Sequence, residues 1–219
     1  MHLKKNLMSK TWPVPRKGKR KRFVAVPSHS KTSGISVLYL LRDVLGIVRT
    51  RKEAKYMTLN GMVKVNNVTR KDENFPVRVF DVFSLEKSGK DYRIEIVNKK
   101  FSLTPISSKD VGTKIVKISG KKVLGKNKTQ MNLEDGRNFL VKDSFSIGDS
   151  VIVDTRENKI VEILPIKEGA TVEIIGGKHA GDRGEIVGFE QLARSKVCKI
   201  KFKEKGIVDL PYKTLLVIK

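Results

Sequence analysis

Helical periodicity is confined to one stretch of this chain, and beyond Val82 it gives way to alternation. Val37, Leu41, Val44, Leu45 and Val48 recur at helical spacing, which predicts an amphipathic helix over Val37–Gly46. A second helix starts at Thr50, whose hydroxyl can cap the backbone while Glu53, three residues on, closes a capping box. Ala54 and Met57 face inward, and Asn60-Gly61 supplies the left-handed stop. Met62–Val65 then alternates as a short strand, Asn66-Asn67 turns it, and Arg78–Phe83 returns as a second strand. Residues 37–86 therefore read as a helix pair on a small sheet.

Downstream the period is two. Tyr92–Val97, Ile115–Ile118, Val151–Val153 and Lys159–Ile163 all alternate, and Asp135-Gly136 between half-apolar runs is the strongest hairpin signal in the chain. Short strands separated by Gly, Asn and Asp predict a small barrel-like β domain over residues 87–166. From residue 167 to 219, Val172–Ile175, Glu185–Phe189, Val197–Lys203 and Leu215–Lys219 give four or five strands around a Gly-rich loop, Gly176–Gly184. That predicts a small SH3-like barrel. The fold class is α+β and multidomain.

Forty-six Lys and Arg against 23 Asp and Glu leave a net charge of +23. Such an excess repels itself in a compact fold unless something anionic neutralises it. Nucleic acid is the leading partner and an anionic membrane surface the second. No apolar run approaches the ~18–20 residues that span a bilayer, and the basic N-terminus lacks the apolar core of a signal peptide. A single cysteine, Cys198, excludes an internal disulfide and fits a reducing compartment.

Residues 1–42 hold eleven Lys or Arg and no acid. Residues 1–36 are expected to be a basic tail that orders only against phosphates, through Lys4, Lys5 and Lys10, then the run Arg16, Lys17, Lys19, Arg20, Lys21 and Arg22, with His29 beyond it. Such a run also suits a nuclear-import signal. Trp12, set among prolines, either stacks on a base or anchors back onto the body. In the helix-pair module Arg42, Arg51, Lys52, Lys55, Lys64, Arg70 and Lys71 lie outside the apolar stripe. The start of the second helix adds unpaired N–H groups beside Arg51 and Lys52, so phosphate is the natural guest.

Catalytic readings fail. Neither Gly181 nor Gly184 is followed by Lys-Ser/Thr, so the Gly-rich loop is no Walker loop. His2, His29 and His179 are scattered and lack metal-ligand spacing, so no metal is expected. Cys198 sits in an alternating strand as a buried thiol, and the adjacent carboxylates Glu134 and Asp135 suit a turn better than acid–base work. Met8-Ser9-Lys10 has no Rossmann pattern behind it. No active site, cofactor or small-molecule substrate is expected.

The run T-R-K-E-A-K-Y-M-T-L-N-G-M-V-K-V-N-N at Thr50–Asn67 resembles the S-four RNA-binding domain. L-L-R-D-V-L at Leu40–Leu45 and F-P-V-R-V-F-D-V at Phe75–Val82 resemble one family, the small-subunit ribosomal protein S-four-e of archaea and eukaryotes. So do W-P-x-x-R-K at Trp12–Lys17, N-L-E-D-G-R-N at Asn132–Asn138 and I-G-D-S at Ile147–Ser150. The family usually has Asp-Gly at Asn66-Asn67 and Gly-Leu at Arg78-Val79; Asn tolerates positive φ, so the first turn survives. The Gly-rich loop resembles a KOW motif, which implies RNA contact by Lys178, His179 and Arg183, and Asn66 is expected to join the RNA-facing turn. The resemblance implies a structural constituent of the small ribosomal subunit, cytoplasmic and archaeal by its short length. Its partners would be small-subunit rRNA and neighbouring ribosomal proteins. A free RNA chaperone or translational regulator is the alternative, and an RNA-modifying enzyme a more distant one.

Overall fold

The second helix forms where the capping residues place it. In the computed structural model Thr50 caps Arg51–Leu59 (α2): its Oγ1 accepts the Glu53 N–H at 3.3 Å. The Glu53 carboxylate reaches back one residue further than a standard box, accepting the Arg49 N–H at 2.8 Å and the Thr50 hydroxyl at 2.9 Å. The helix before it is shorter than expected. One α-turn, Val37–Tyr39 (α1), widens into a π-turn at Leu40–Val44, with the Leu45 N–H on the Leu40 carbonyl at 2.9 Å.

The structure describes residues 3–16, 18, 22–30, 33–107, 110–125, 128–191, 196–202 and 206–219. The chain divides into two units, Met1–Gly112 and Thr113–Lys219. Strand dominates both, and apart from short 3-10 turns the described helical residues are those of α1, its π-turn and α2.

The first unit contains Leu3–Lys4 (β1), Phe23–Val24 (β2), Ile35–Ser36 (β3), Val63–Val65 (β4), Val68–Thr69 (β5), Pro76–Val77 (β6), Val82–Leu85 (β7), Lys90–Val97 (β8) and Lys100–Pro105 (β9). β1 pairs with β2, β3 with β6, and the main sheet runs β5-β4-β7-β8-β9. The return strand expected at Arg78–Phe83 is broken. The Asp81 carboxylate accepts the Arg78 N–H at 2.8 Å, Phe80 takes a φ of 64°, and the strand restarts at Val82. β8 and β9, which the alternation assigns to a central domain starting at residue 87, belong to this first sheet instead. Gly89, at a φ of 59°, turns β7 directly into β8, and Ile94, Ile96 and Phe101 are buried there. Alternation identifies a strand but says nothing about its partner.

The N-terminal segment is a further correction. The described parts of residues 1–36 are built into the first unit: Met8 and Trp12 are buried, and the Phe101 N–H donates to the Thr11 carbonyl at 2.8 Å. Trp12 packs against Tyr39 with ring centroids 5.4 Å apart. Two isolated apolar anchors carry no periodicity, yet each such side chain contributes roughly 1.5–3 kcal/mol on burial.

The second unit holds two five-stranded antiparallel sheets. The first orders Asn138–Val141 (β12), Lys128–Leu133 (β11), Thr113–Gly125 (β10), Ser150–Asp154 (β13) and Lys159–Leu164 (β14), counting from one edge to the other. β10 serves both halves: Thr113–Lys117 pairs with β13, and Ile118–Gly125 with β11, with bulges that bend the sheet. The hairpin at Asp135-Gly136 forms where expected, with Gly136 at a φ of 93°. The second sheet orders Gly206–Pro211 (β18), Lys196–Phe202 (β17), Arg183–Gln191 (β16), Thr171–Ile174 (β15) and Leu215–Val217 (β19). Val116, Ile118, Met131 and Val151 centre one core, and Val172, Ile174, Ile186, Cys198 and Ile200 the other. Cys198 is a buried thiol, and burial pushes its pKa up.

Candidate nucleic-acid interface

In the first unit, Glu73 and Phe75 gather basic side chains from three separate segments. The Arg51 guanidinium, at the start of α2, lies 2.8 Å from the Glu73 carboxylate. Its side chain stays 62% exposed while that of Glu73 is only 8% exposed. Burial pushes the Glu73 pKa up, but the Arg51 hydrogen bond and the charges of Arg51 and Lys55 outweigh it and hold the carboxyl below its usual range. Two residues on, the Arg70 guanidinium lies 4.2 Å from the Phe75 ring centroid, and His29 meets that ring edge-on at 5.3 Å. The Ser28 N–H donates to the Asn74 carbonyl, tying the N-terminal segment to this loop. Lys52, Lys55 and Lys71 are exposed.

Exposed Arg51, Lys52 and Lys55 give α2 a cationic surface, and Tyr56, 65% exposed, adds an aromatic face beside Lys52. Sequence reasoning passes over Tyr56. The signal was available, because with Ala54 and Met57 inward, position 56 falls on the outer side of the helix.

Other expected contacts are committed inside the fold. The Asn66 amide is buried: it donates to Asp81 at 3.0 Å and accepts the Val82 N–H at 3.0 Å, bracing the turn and offering RNA nothing. Trp12 is 1% exposed, so it anchors and does not stack on a base. Arg16 donates to the Asn6 carbonyl at 2.9 Å and to the Met8 carbonyl, closing its own loop. Arg42 pairs with Asp43 at 2.8 Å and lies over Tyr39, while Lys64 pairs with Glu86. Lys4, Lys10 and Arg22 are exposed and Lys5 half-buried. Lys17, Lys19, Arg20 and Lys21 lie outside the described residues.

In the second unit, the Arg183 Nε donates to the Glu173 carboxylate at 2.9 Å, with the arginine side chain 59% exposed and the glutamate 3%. An exposed guanidinium pinned by a buried carboxylate thus occurs in both units. His179 stacks on Phe202 at 5.6 Å and meets Asp182 at 3.3 Å, and Lys178 is exposed. Gly184 has another role than backbone access: a Cβ there would lie 2.6 Å from Ile200 and 2.8 Å from the Lys201 carbonyl, so it permits β16 to approach β17. Asp135 takes the turn role expected of it. It accepts the Arg137 N–H at 3.0 Å and pairs with buried Lys114 at 3.0 Å. Burial pushes the Asp135 pKa up, and Lys114, the Arg137 N–H and the Arg137 charge together bring it below the ordinary value.

The family model described as ribosomal family S4e matches residues 88–160. A protein called small ribosomal subunit protein eS4 from Methanosphaera stadtmanae is 34% identical, over 95% of this chain and 88% of its own length. Its counterpart from Archaeoglobus fulgidus is 35% identical, over 96% of this chain and 90% of its own. The chain belongs to the S4e family of ribosomal proteins. A crystal structure of the 30S ribosomal protein S4e from Thermoplasma acidophilum matches with a TM-score of 0.74 at 27% identity, covering 86% of this chain and 96% of that one. Within the S4e pattern, the departure at Asn66-Asn67 keeps its turn: both residues are left-handed, with φ of 51° and 64°.

Proposed function

We propose that this chain is a structural constituent of the small ribosomal subunit that binds small-subunit rRNA and performs no turnover. The observation that carries the reading is the match to archaeal proteins that bear that subunit's name, over 95% and 96% of this chain. The electrostatics agree with it. A protein with 46 cations and 23 acids gains affinity for a polyanion by releasing condensed counterions.

Within that reading, α2 and the loop at Glu73–Phe75 form the contact surface of an S-four-like module, with Arg51, Lys52, Lys55, Arg70, Lys71 and His29 toward phosphates. The second unit contributes a central β domain and, from residue 167, an SH3-like KOW barrel, with Lys178, His179 and Arg183 toward RNA. Neighbouring ribosomal proteins complete the environment, and the assembled particle sits in the cytoplasm. Fractionation of native lysate on sucrose gradients at low and high salt tests this. Comigration with the small subunit is expected, and a light fraction bound to other RNAs would instead identify a free regulator.

A further inference from the structure

Between the two sheets of the second unit lies a cavity of about 450 Å³, within the size range of ligand pockets. Its apolar rim is open: Ile147 is 55% exposed and Phe189 44%. We propose that this cavity takes one unpaired nucleotide of a bound RNA strand, with the base against Phe189 and the backbone phosphate between Lys167 and Lys196. The inference rests on the RNA-binding reading above and adds a site to it.

The cavity is held open by bonds that its walls make to each other. The Asp149 carboxylate accepts the Ser146 N–H at 2.8 Å and the Ile166 N–H at 3.0 Å, tying two walls together. The Tyr212 hydroxyl donates to the Ile147 carbonyl at 2.9 Å. Tyr212 can lie there because residue 148 is glycine: a Cβ would sit 2.0 Å from the ring. The Lys117 ammonium fixes the tyrosine from below, donating to its carbonyl at 2.6 Å. A preformed site avoids the ordering cost of assembling one on binding.

Its chemistry suits a planar anionic residue. Phe189, Tyr212 and Ile147 offer flat and apolar surface for a base. Of the two lining carboxylates, Glu190 is paired with Lys199 at 3.2 Å, while buried Asp149 keeps its charge and turns its oxygens toward two backbone N–H groups. Lys167 and Lys196, which form no ion pair with a carboxylate among the described residues, stand against the one remaining charge of Asp149, so a single positive charge is left over for a phosphate. A duplex cannot enter a concavity of this size, whereas a base splayed from a single strand can.

The test uses the full chain and a thiouridine-containing single-stranded RNA, beside a fully paired hairpin as a second probe. Photocross-linked peptides carrying Phe189 or Tyr212 are expected. Phe189→Ala and, separately, Lys167→Glu should lower single-strand affinity, the first by about 5- to 140-fold for one lost stacked base, while hairpin affinity stays within about twofold for Phe189→Ala, the scatter of such a measurement. If both variants bind the single strand as the parent does, or cross-links fall only elsewhere, the site is overturned and the RNA-binding reading stands. Protection of the cross-link by free uridine monophosphate at the strand's own concentration would make it a nucleotide site and overturn the proposal. So would variants that keep RNA affinity yet leave the native subunit, which would assign the cavity to a protein neighbour. A parent protein that binds neither probe would remove both readings together.

Discussion

The Nζ of Lys117 donates to the carbonyls of Tyr212 at 2.6 Å and Leu215 at 2.9 Å, joining β10 to the chain segment that leads into β19. The amine is buried, and burial pushes its pKa down to about 8. An unfolded lysine titrates near 10.4. Between those two values the unfolded chain binds a proton that the folded chain has shed, so stability rises with pH through that window. Below about 8 the full cost of burying the charge is borne, on the order of 3 kcal/mol. The Tyr212 phenol acts in the opposite sense. Burial pushes it up to about 12, so above the ordinary tyrosine value of about 10 the folded state retains a proton the unfolded state has lost, and stability falls. Urea unfolding followed by circular dichroism should therefore show a Lys117 contribution that rises with pH above about 8, opposed from about pH 9 by the raised Cys198 thiol and from about pH 10 by Tyr212. Lys117→Met should flatten that rise. A variant with the parent's slope would refute the assignment.

The α2 surface is tested best through its lysines. Arg51→Glu would set a second carboxylate against buried Glu73, so weaker binding would be confounded with a damaged fold. Lys52 and Lys55 are exposed, and Lys55 bears on the fold through the smallest of the charge effects on Glu73, so both can be truncated at little cost to it. Lys52→Ala with Lys55→Ala should leave the thermal midpoint within a degree or two, about the effect of surface changes. The same variant should lower affinity for small-subunit rRNA and flatten the log-affinity against log-salt slope by up to about 2, one for each phosphate left without its lysine. Filter binding across a salt series reads both numbers. An unchanged slope would move the contact surface off α2.

What was legible in the sequence follows from how far each interaction reaches. The Thr50–Glu53 cap, the Asp135-Gly136 hairpin and the left-handed pair Asn66-Asn67 are formed by residues within a few positions of each other, so spacing alone identifies them. The partner of β8 is set by Gly89 and by the burial of Ile94 against the first sheet, which alternation does not encode. Lys117 meets Tyr212 across 95 positions and looks, in sequence, like any strand lysine. The candidate site divides the same way. Arg51, Lys52 and Lys55 are exposed as expected, because helical phase fixes their side of α2. Trp12, Arg16 and Asn66 are polar or aromatic residues in turns, and their inward commitments become visible only with the fold.

Trp12 is the only tryptophan in the chain, which makes its environment directly measurable. Buried against Tyr39, it should emit at short wavelength in the free protein, and adding rRNA should leave that emission unquenched. A base stacked on the indole would quench it. Trp12→Ala should cost about 3–5 kcal/mol, as large-to-small changes at buried aromatics do. Denaturant titration of the first unit's transition reads that cost, and a neutral substitution would show that the N-terminal segment is only loosely attached.

Asn66 carries the last prediction, because its backbone and its side chain are constrained separately. At a φ of 51° the position favours Asn or Gly over any other residue, and the buried amide also satisfies Asp81 and the Val82 N–H. Asn66→Gly keeps the backbone and removes both hydrogen bonds, taking the acceptor from the buried Val82 N–H and one of its donors from Asp81, at a cost of about 1–3 kcal/mol. Asn66→Ala removes the same bonds and adds left-handed strain of about 1–2 kcal/mol. The alanine variant should therefore be less stable than the glycine variant, and both less stable than the parent, in chemical denaturation. Asn67, exposed at a φ of 64°, has no described side-chain hydrogen bond, so Asn67→Gly should change stability by no more than about 0.5 kcal/mol, the scale of surface substitutions. If Asn66→Gly proved as stable as the parent, the amide bridge to Asp81 would contribute nothing, and the turn would be held by backbone geometry alone.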